Sequence, residues 1–132
     1  MSTAANQPTI SALVVEDSPI LVDRLLEMLR SVVGIRVVGV VDTEAAARSA
    51  IAGTQIDLVL LDLRLREGHG FGVLRAIENR VQRPAVVVMS NYSLSEYRLA
   101  AEKRGAQYFL DKADEIESLP LILAEIRRQR LH

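Results

Sequence analysis

The 132-residue chain contains no cysteine. Disulfide bonds and thiolate metal centres are therefore excluded, and the absence is compatible with a cytoplasmic location. An excess of charge is also missing, since 16 basic residues stand against 17 acidic ones for a formal net charge of −1. Proteins that grip nucleic acid through its phosphates carry a basic footprint, so direct DNA binding is not expected. No apolar run approaches the length that crosses a bilayer, so membrane insertion is not expected either. The opening MSTAANQPT has neither a basic start nor an apolar centre. It is not a signal peptide, and residues 1–9 read as a flexible lead-in. There is no internal repeat and no low-complexity tract. Only two histidines occur, His69 and His132, far apart in sequence. They give no companion set for zinc.

What is present suits one globular domain over residues 10–130, with 49% hydrophobic and 25% charged residues. Ile10–Val15 is a short apolar run that ends at Glu16-Asp17, a candidate buried strand. Ser18-Pro19 then combines a capping hydroxyl with the residue favoured at the first helical position. Ile20, Leu25, Met28, Leu29 and Val32 recur at helical spacing up to Gly34. A second apolar run covers Ile35–Val41, and Asp42 or Thr43 can cap the Ala-rich helix from Glu44 to Ala52, closed by Gly53. The third strand is expected over Ile56–Leu61 and a helix over Phe71–Asn79. The fourth strand is Ala85–Ser90, followed by a helix over Ser95–Arg104. The fifth strand is expected over Ala106–Leu110. Pro120 opens a last helix, Leu121–Gln129, whose Arg127, Arg128 and Arg130 lie at the dipole end that favours positive charge.

The pattern is (βα)5. Its strands are continuous apolar runs, as expected when helices cover both faces of a parallel sheet. Right-handed crossovers then make a doubly wound, flavodoxin-like five-stranded sheet the natural α/β solution. In such folds chemistry collects beyond the carboxyl ends of the strands. Those ends carry Glu16-Asp17, Asp62 and Ser90, and Lys112 follows the fifth strand. Asp42, after the second strand, contributes nothing obvious.

Three carboxylates brought together repel, and a hard divalent cation relieves the conflict. Mg2+ takes oxygen ligands in octahedral geometry and retains water, and Mn2+ can substitute for it. A carboxylate beside such a cation can act as a nucleophile toward phosphorus. Lys112 offers a mobile positive charge and Ser90 a hydroxyl, both suited to the oxygens of a transferred phosphoryl group. The glycines of GHG supply loop conformations, and no GxGxxG unit or GxxxxGK[ST] loop occurs. His69 reads as an exposed loop residue.

The segments LVVEDS, VLLDLRL…GHG, VVMS and GAQYFLDK, in this order and spacing, resemble the receiver domain of bacterial two-component response regulators. The resemblance spans about Ile10 to Arg128. It implies that Asp62 is the phosphoacceptor, that Asp17 is a direct Mg2+ ligand with Glu16 acting mostly through water, and that the Arg64 carbonyl is the backbone metal ligand. It further implies that Ser90 turns toward the phosphoryl group, that Lys112 pairs with it, and that Phe109 is the aromatic switch position. Gly70 corresponds to the glycine after the acceptor loop. The phosphoryl donor implied is a histidine kinase or a histidine phosphotransfer protein.

Three positions depart from the family's pattern. Arg66 stands where proline is common, four residues after the acceptor. Ala113 stands where a proline in a cis bond commonly follows the lysine, so that loop should lack the cis constraint. Phe109 has no hydroxyl, and Tyr108 beside it should face the other way if the strand alternates. Arg64 and Arg66 read as a solvated edge, with Arg64 and Tyr92 where water access to the phosphoryl group is tuned. Ile20 and Arg24 on the first helix should help select the kinase. Phosphorylation would let Phe109 pack inward and alter the face carrying Tyr92, Leu94, Tyr97 and Arg98. The expected output is a downstream protein target, a phosphorelay step or a homodimer, with no output domain in the chain. Self-phosphorylation and hydrolysis are expected, without turnover of an external substrate. A phosphorylation-independent interaction module on the same fold is the alternative.

Overall fold

The computed structural model describes residues 9–91 and 95–131. The flexible lead-in expected over residues 1–9 falls almost wholly outside that range, as do Tyr92 and Leu94. The order is β1 (Ile10–Val15), α1 (Pro19–Arg30), β2 (Ile35–Val41), α2 (Glu44–Gly53), β3 (Leu58–Asp62), α3 (Gly70–Glu78), β4 (Ala85–Ser90), α4 (Ser95–Lys103), β5 (Tyr108–Asp111) and α5 (Leu119–Arg130), with a 3-10 turn at Ile116–Ser118. All neighbouring strands are parallel, in the order β2-β1-β3-β4-β5. This is the doubly wound, flavodoxin-like α/β sheet. No helix among the described residues is long and apolar enough to cross a membrane.

Alternation along the strands builds two apolar layers. Leu13, Val15, Val59, Leu61, Val86, Val88 and Phe109 face α2, α3 and α4. Ala12, Val14, Leu58, Leu60, Val87, Met89 and Leu110 face Leu25 and Leu29 of α1 and Leu119, Leu123 and Ile126 of α5. Tyr108 packs on the second layer and Phe109 on the first, as the alternation requires. Ser18 caps α1 by accepting the Leu21 N–H, and Thr43, not Asp42, caps α2 by accepting the Ala46 N–H.

Four expectations shift. The third strand starts at Leu58 rather than Ile56 and includes Asp62, which pairs with Met89. Asp57 instead locks the strand entry, its Oδ2 accepting the Ser11 N–H at 2.9 Å. The fifth strand runs over Tyr108–Asp111, because Ala106 still closes the turn after α4 by donating to the Ala101 carbonyl. Ile20 is not on the buried stripe of α1 but 85% exposed. It lies five residues before Leu25, about 140° around a helix of 3.6 residues per turn. Val32 lies beyond the end of α1, although it still packs on the core.

Candidate phosphoacceptor site

The sheet order reverses between β1 and β3, because α1 leads outward to β2 on one side and α2 returns the chain to β3 on the other. Such a switch point opens a crevice at the carboxyl ends of the two strands. Glu16, Asp17, Ser18, Asp62, Arg64, Ser90, Asn91 and Lys112 line a cleft of about 210 Å³ there. The cleft therefore gathers every predicted rim residue. Phe109 lies one strand away, below it.

Asp62 ends the most deeply buried strand of the sheet centre and is 4% exposed. Its two oxygens are held differently. Oδ1 accepts the Arg64 N–H at 3.0 Å, and Oδ2 lies 3.0 Å from Lys112 Nζ. Lys112 also lies 2.8 Å from Glu16 Oε1, so one ammonium bridges two buried carboxylates. The other Glu16 oxygen accepts the backbone N–H groups of Asp17 (3.1 Å) and Ser18 (3.0 Å), at the start of α1. Burial pushes the Glu16 carboxyl above its ordinary range, and the neighbouring Asp62 charge adds to this against the Lys112 bond. Burial works to lower the Lys112 ammonium, but its bonds to Glu16 and Asp62 and their charges prevail and raise it. The Lys112 side chain is 11% exposed, so it is not a surface lysine.

The backbone sets these positions. Glu16 N–H donates to the Val41 carbonyl, and Lys112 N–H donates to the Ser90 carbonyl at 2.9 Å. Ser90 is 2% exposed. No cis peptide bond occurs among the described residues, as Ala113 predicts. Side chains fix the loop after β5 instead. Asp111 Oδ1 accepts the Ala113 N–H, and Glu115 Oε1 accepts the Asp111 N–H, each at 2.8 Å. At Gly70 a Cβ would stand 2.5 Å from the Asp62 carbonyl oxygen and 2.7 Å from Leu63 Cα, so only glycine lets the loop fold back this closely.

Carboxylate oxygens of Glu16, Asp17 and Asp62 lie within 4.8 Å of one another. The all-oxygen donor set, with one exposed and two buried acids, fits a hard divalent cation and no soft one. Phe109 is already packed inward, at 5% exposure, so its burial does not await modification of Asp62. Arg98 holds it there. The guanidinium carbon lies 4.7 Å from the ring centroid, and Nη1 donates to the Phe109 carbonyl at 3.2 Å.

One group escaped the sequence reading. Arg66 is not merely solvated. Its Nε and Nη2 meet Asp42 Oδ2 and Oδ1 at 3.2 and 3.3 Å, although both side chains remain largely exposed. The pair joins residues 24 apart, on loops after strands that do not neighbour each other, so no local pattern announces it.

A family model for the response regulator receiver domain matches residues 12–124. A curated relative from Myxococcus xanthus, a protein-glutamate methylesterase/protein-glutamine glutaminase, is 36% identical over 104 residues, which cover 78% of this chain and 30% of that protein. A second of that description, from Syntrophus aciditrophicus, is 31% identical over 105 residues, again 78% and 30%. The chain thus spans less than a third of the length of these two relatives. Among solved structures, the receiver domain of a sensor histidine kinase from Pseudomonas aeruginosa PAO1 is 25% identical. It has a TM-score of 0.77 over 91% of this chain and 98% of that one, with a magnesium ion coordinated in its active-site cleft. The signal receiver domain of a LuxO-type repressor from Vibrio parahaemolyticus is 22% identical, with a TM-score of 0.82 and 92% of both chains covered, and shows the same fold.

Proposed function

The chain belongs to the response regulator receiver domain family, and on that premise we propose that it accepts a phosphoryl group on Asp62 from a phosphohistidine of a kinase or phosphotransfer protein. The observation that carries this reading is the pair of restraints on Asp62. One oxygen is held by the Arg64 N–H and the other by Lys112, with Glu16 and Asp17 alongside.

Asp17 and Asp62, with the carbonyl of Arg64, would hold Mg2+ directly, and Glu16 would act from behind through water. Glu16 is already committed to the start of α1 and to Lys112, which suits that indirect role. The cation, when bound, neutralises charge on the phosphoryl oxygens. An Asp62 oxygen attacks phosphorus in line with the departing imidazole. The new O–P bond forms as the N–P bond breaks, and its electron pair leaves with the imidazole nitrogen. Lys112 must then exchange part of its contact with Asp62 for a phosphoryl oxygen, and the Ser90 hydroxyl turns toward another. Water later hydrolyses the acyl phosphate, which returns the free carboxylate.

The modification adds about 1.5 to 2 negative charges on its transferred group at neutral pH. That redistribution acts on Lys112, Ser90 and, through β5, on Phe109 and Arg98. The output would be altered binding of a protein target or of a second copy through the α4–β5–α5 face. Tyr97 (43%), Leu99 (57%) and Leu121 (78%) are exposed on its helices. The ion pair of Arg24 with Glu117 ties the kinase-facing helix α1 to the turn before α5.

The test is the intact mass of the protein incubated with Mg2+ and acetyl phosphate. One phosphoryl adduct is expected, absent with EDTA and absent in Asp62→Asn. If wild type forms no adduct and binds no beryllofluoride, the switch reading fails. A phosphorylation-independent interaction module then takes its place.

A further inference from the structure

The loop that follows Asp62 is fastened to the first turn of α2 at several independent points. Arg66 pairs with Asp42. Thr43 and Glu67 form a parallel bridge, and the Glu44 N–H donates to the Glu67 carbonyl at 3.0 Å. The Glu44 carboxylate reaches across, and its Oε1 accepts the His69 N–H at 3.0 Å. Arg48, one turn later, lies 3.5 Å from Glu44 Oε2 and donates to the Gly72 carbonyl at 3.0 Å. The loop makes room for this carboxylate with glycine. A Cβ at Gly68 or at Gly72 would collide with the Glu44 side chain. Gly68 also takes φ of 86°, which side-chain-bearing residues rarely adopt.

The consequence reaches the acceptor through a short backbone path. His69 stands opposite Arg64 in an antiparallel bridge, with Gly70 N–H donating to the Leu63 carbonyl at 2.9 Å. Arg64 in turn donates its N–H to Asp62 Oδ1. Glu44 therefore holds one side of a small hairpin whose other side carries the backbone of Arg64. No proline stiffens this loop, since Leu63 to Gly70 contains none. We propose that Glu44 is a positioning residue for the cation site: by anchoring His69 it fixes the Arg64 backbone beside Asp62 and so sets the affinity for the divalent ion. This inference rests on the reading of Arg64 as a backbone ligand given above. It makes α2, which contributes no group to the cleft, part of the metal site's support. Groups that orient metal ligands commonly change affinity by about 10- to 100-fold when removed.

The experiment measures binding of Mn2+ to the intact chain, read as loss of the free-ion paramagnetic resonance signal, for wild type, Glu44→Ala and Glu44→Gln. The second reading is hydrogen exchange of the His69 amide in metal-free protein. Glu44→Ala should weaken Mn2+ binding about 10-fold and speed exchange at His69. Glu44→Gln keeps an acceptor oxygen but no charge, and should bind within about twofold of wild type, with His69 still protected. Equal weakening in both variants would show that the charge of Glu44 acts at a distance, and would overturn the positioning role. Unchanged binding in Glu44→Ala, despite rapid exchange at His69, would also overturn it. Should Glu44→Ala fail to fold, Glu44→Asp, which keeps the charge but draws the carboxylate back from the His69 N–H, keeps the test. Unchanged binding despite rapid exchange at His69 there contradicts the proposal, and weakened binding with rapid exchange supports it. Absence of Mn2+ binding in wild type would instead remove the metal reading itself, so the two failures are distinct.

Discussion

Two strands of this sheet run into an aspartate, and the two aspartates have different fates. β3 is buried along its whole length and ends in Asp62, 4% exposed and bridged by Lys112 to Glu16. β2 alternates between half-buried and exposed residues, and Asp42 follows it, about half exposed and paired to Arg66. Both runs read as apolar residues closed by an acid. Their places in the sheet separate them. β3 lies at the centre beside the switch point, where β1 brings Glu16, β4 brings Ser90 and the residue after β5 is Lys112, whereas β2 is an edge. Asp62 is set apart from Asp42 by what the rest of the sheet delivers to it. The apolar run before it only puts it in place.

The two aspartates should differ most in their chemistry. Asp62→Asn should abolish the phosphoryl adduct altogether, while Asp42→Asn should still form it, as read by intact mass. An adduct that survives in Asp62→Asn would erase the distinction. The strands should differ in stability as well. Leu60→Ala, in the fully buried β3, should cost about 3 kcal/mol by urea unfolding. Val40→Ala on β2, where the side chain is 44% exposed, should stay within about 0.5 kcal/mol.

A smaller effect distinguishes the two acids' surroundings by pH. Glu16, in the buried cluster, has a folded-state pKa raised above its ordinary 4.5 by burial. The folded protein thus holds that proton more tightly than the unfolded chain. Stability from this group is complete below 4.5 and declines as pH rises through the raised value. In metal-free solution, Glu16→Gln should lose this component of the decline in urea midpoints measured across that window. The exposed Asp42–Arg66 pair should matter least. A double-mutant cycle with Asp42→Asn and Arg66→Gln should give a coupling of about 0.2–1 kcal/mol. A larger coupling would mean that the edge is fixed more firmly than its exposure implies.

The candidate site was legible in the chain because it rests on strand ends. Apolar runs locate the strands, and the topology of a doubly wound sheet dictates which ends converge. Glu16, Asp17, Asp62, Ser90 and Lys112 follow from that, without knowledge of a single contact. Local rules also caught Ser18 as a cap and narrowed the second cap to Asp42 or Thr43, of which Thr43 serves. What sequence did not disclose lies across the fold. Glu44 looks like an ordinary acid in the first turn of a helix, favoured there by the dipole. Its bond to His69 joins residues 25 apart. Arg66 looked solvated because its partner lies on a loop 24 residues earlier. Ile20 was misplaced because apolar character was read ahead of helical phase. Phe109 was expected to move inward on modification. Its place in the first apolar layer, together with the Arg98 cation above its ring, explains why it already rests there.

The measurement that tests the account most directly is to locate the modified carboxylate. The protein would be treated with acetyl phosphate and Mg2+, reduced with borohydride to convert any acyl phosphate to an alcohol, digested, and mapped by peptide mass. The account predicts homoserine at Asp62 alone, with Asp17 and Asp42 unchanged. Homoserine at either of those two, or at neither they nor Asp62 despite an intact adduct, would contradict it.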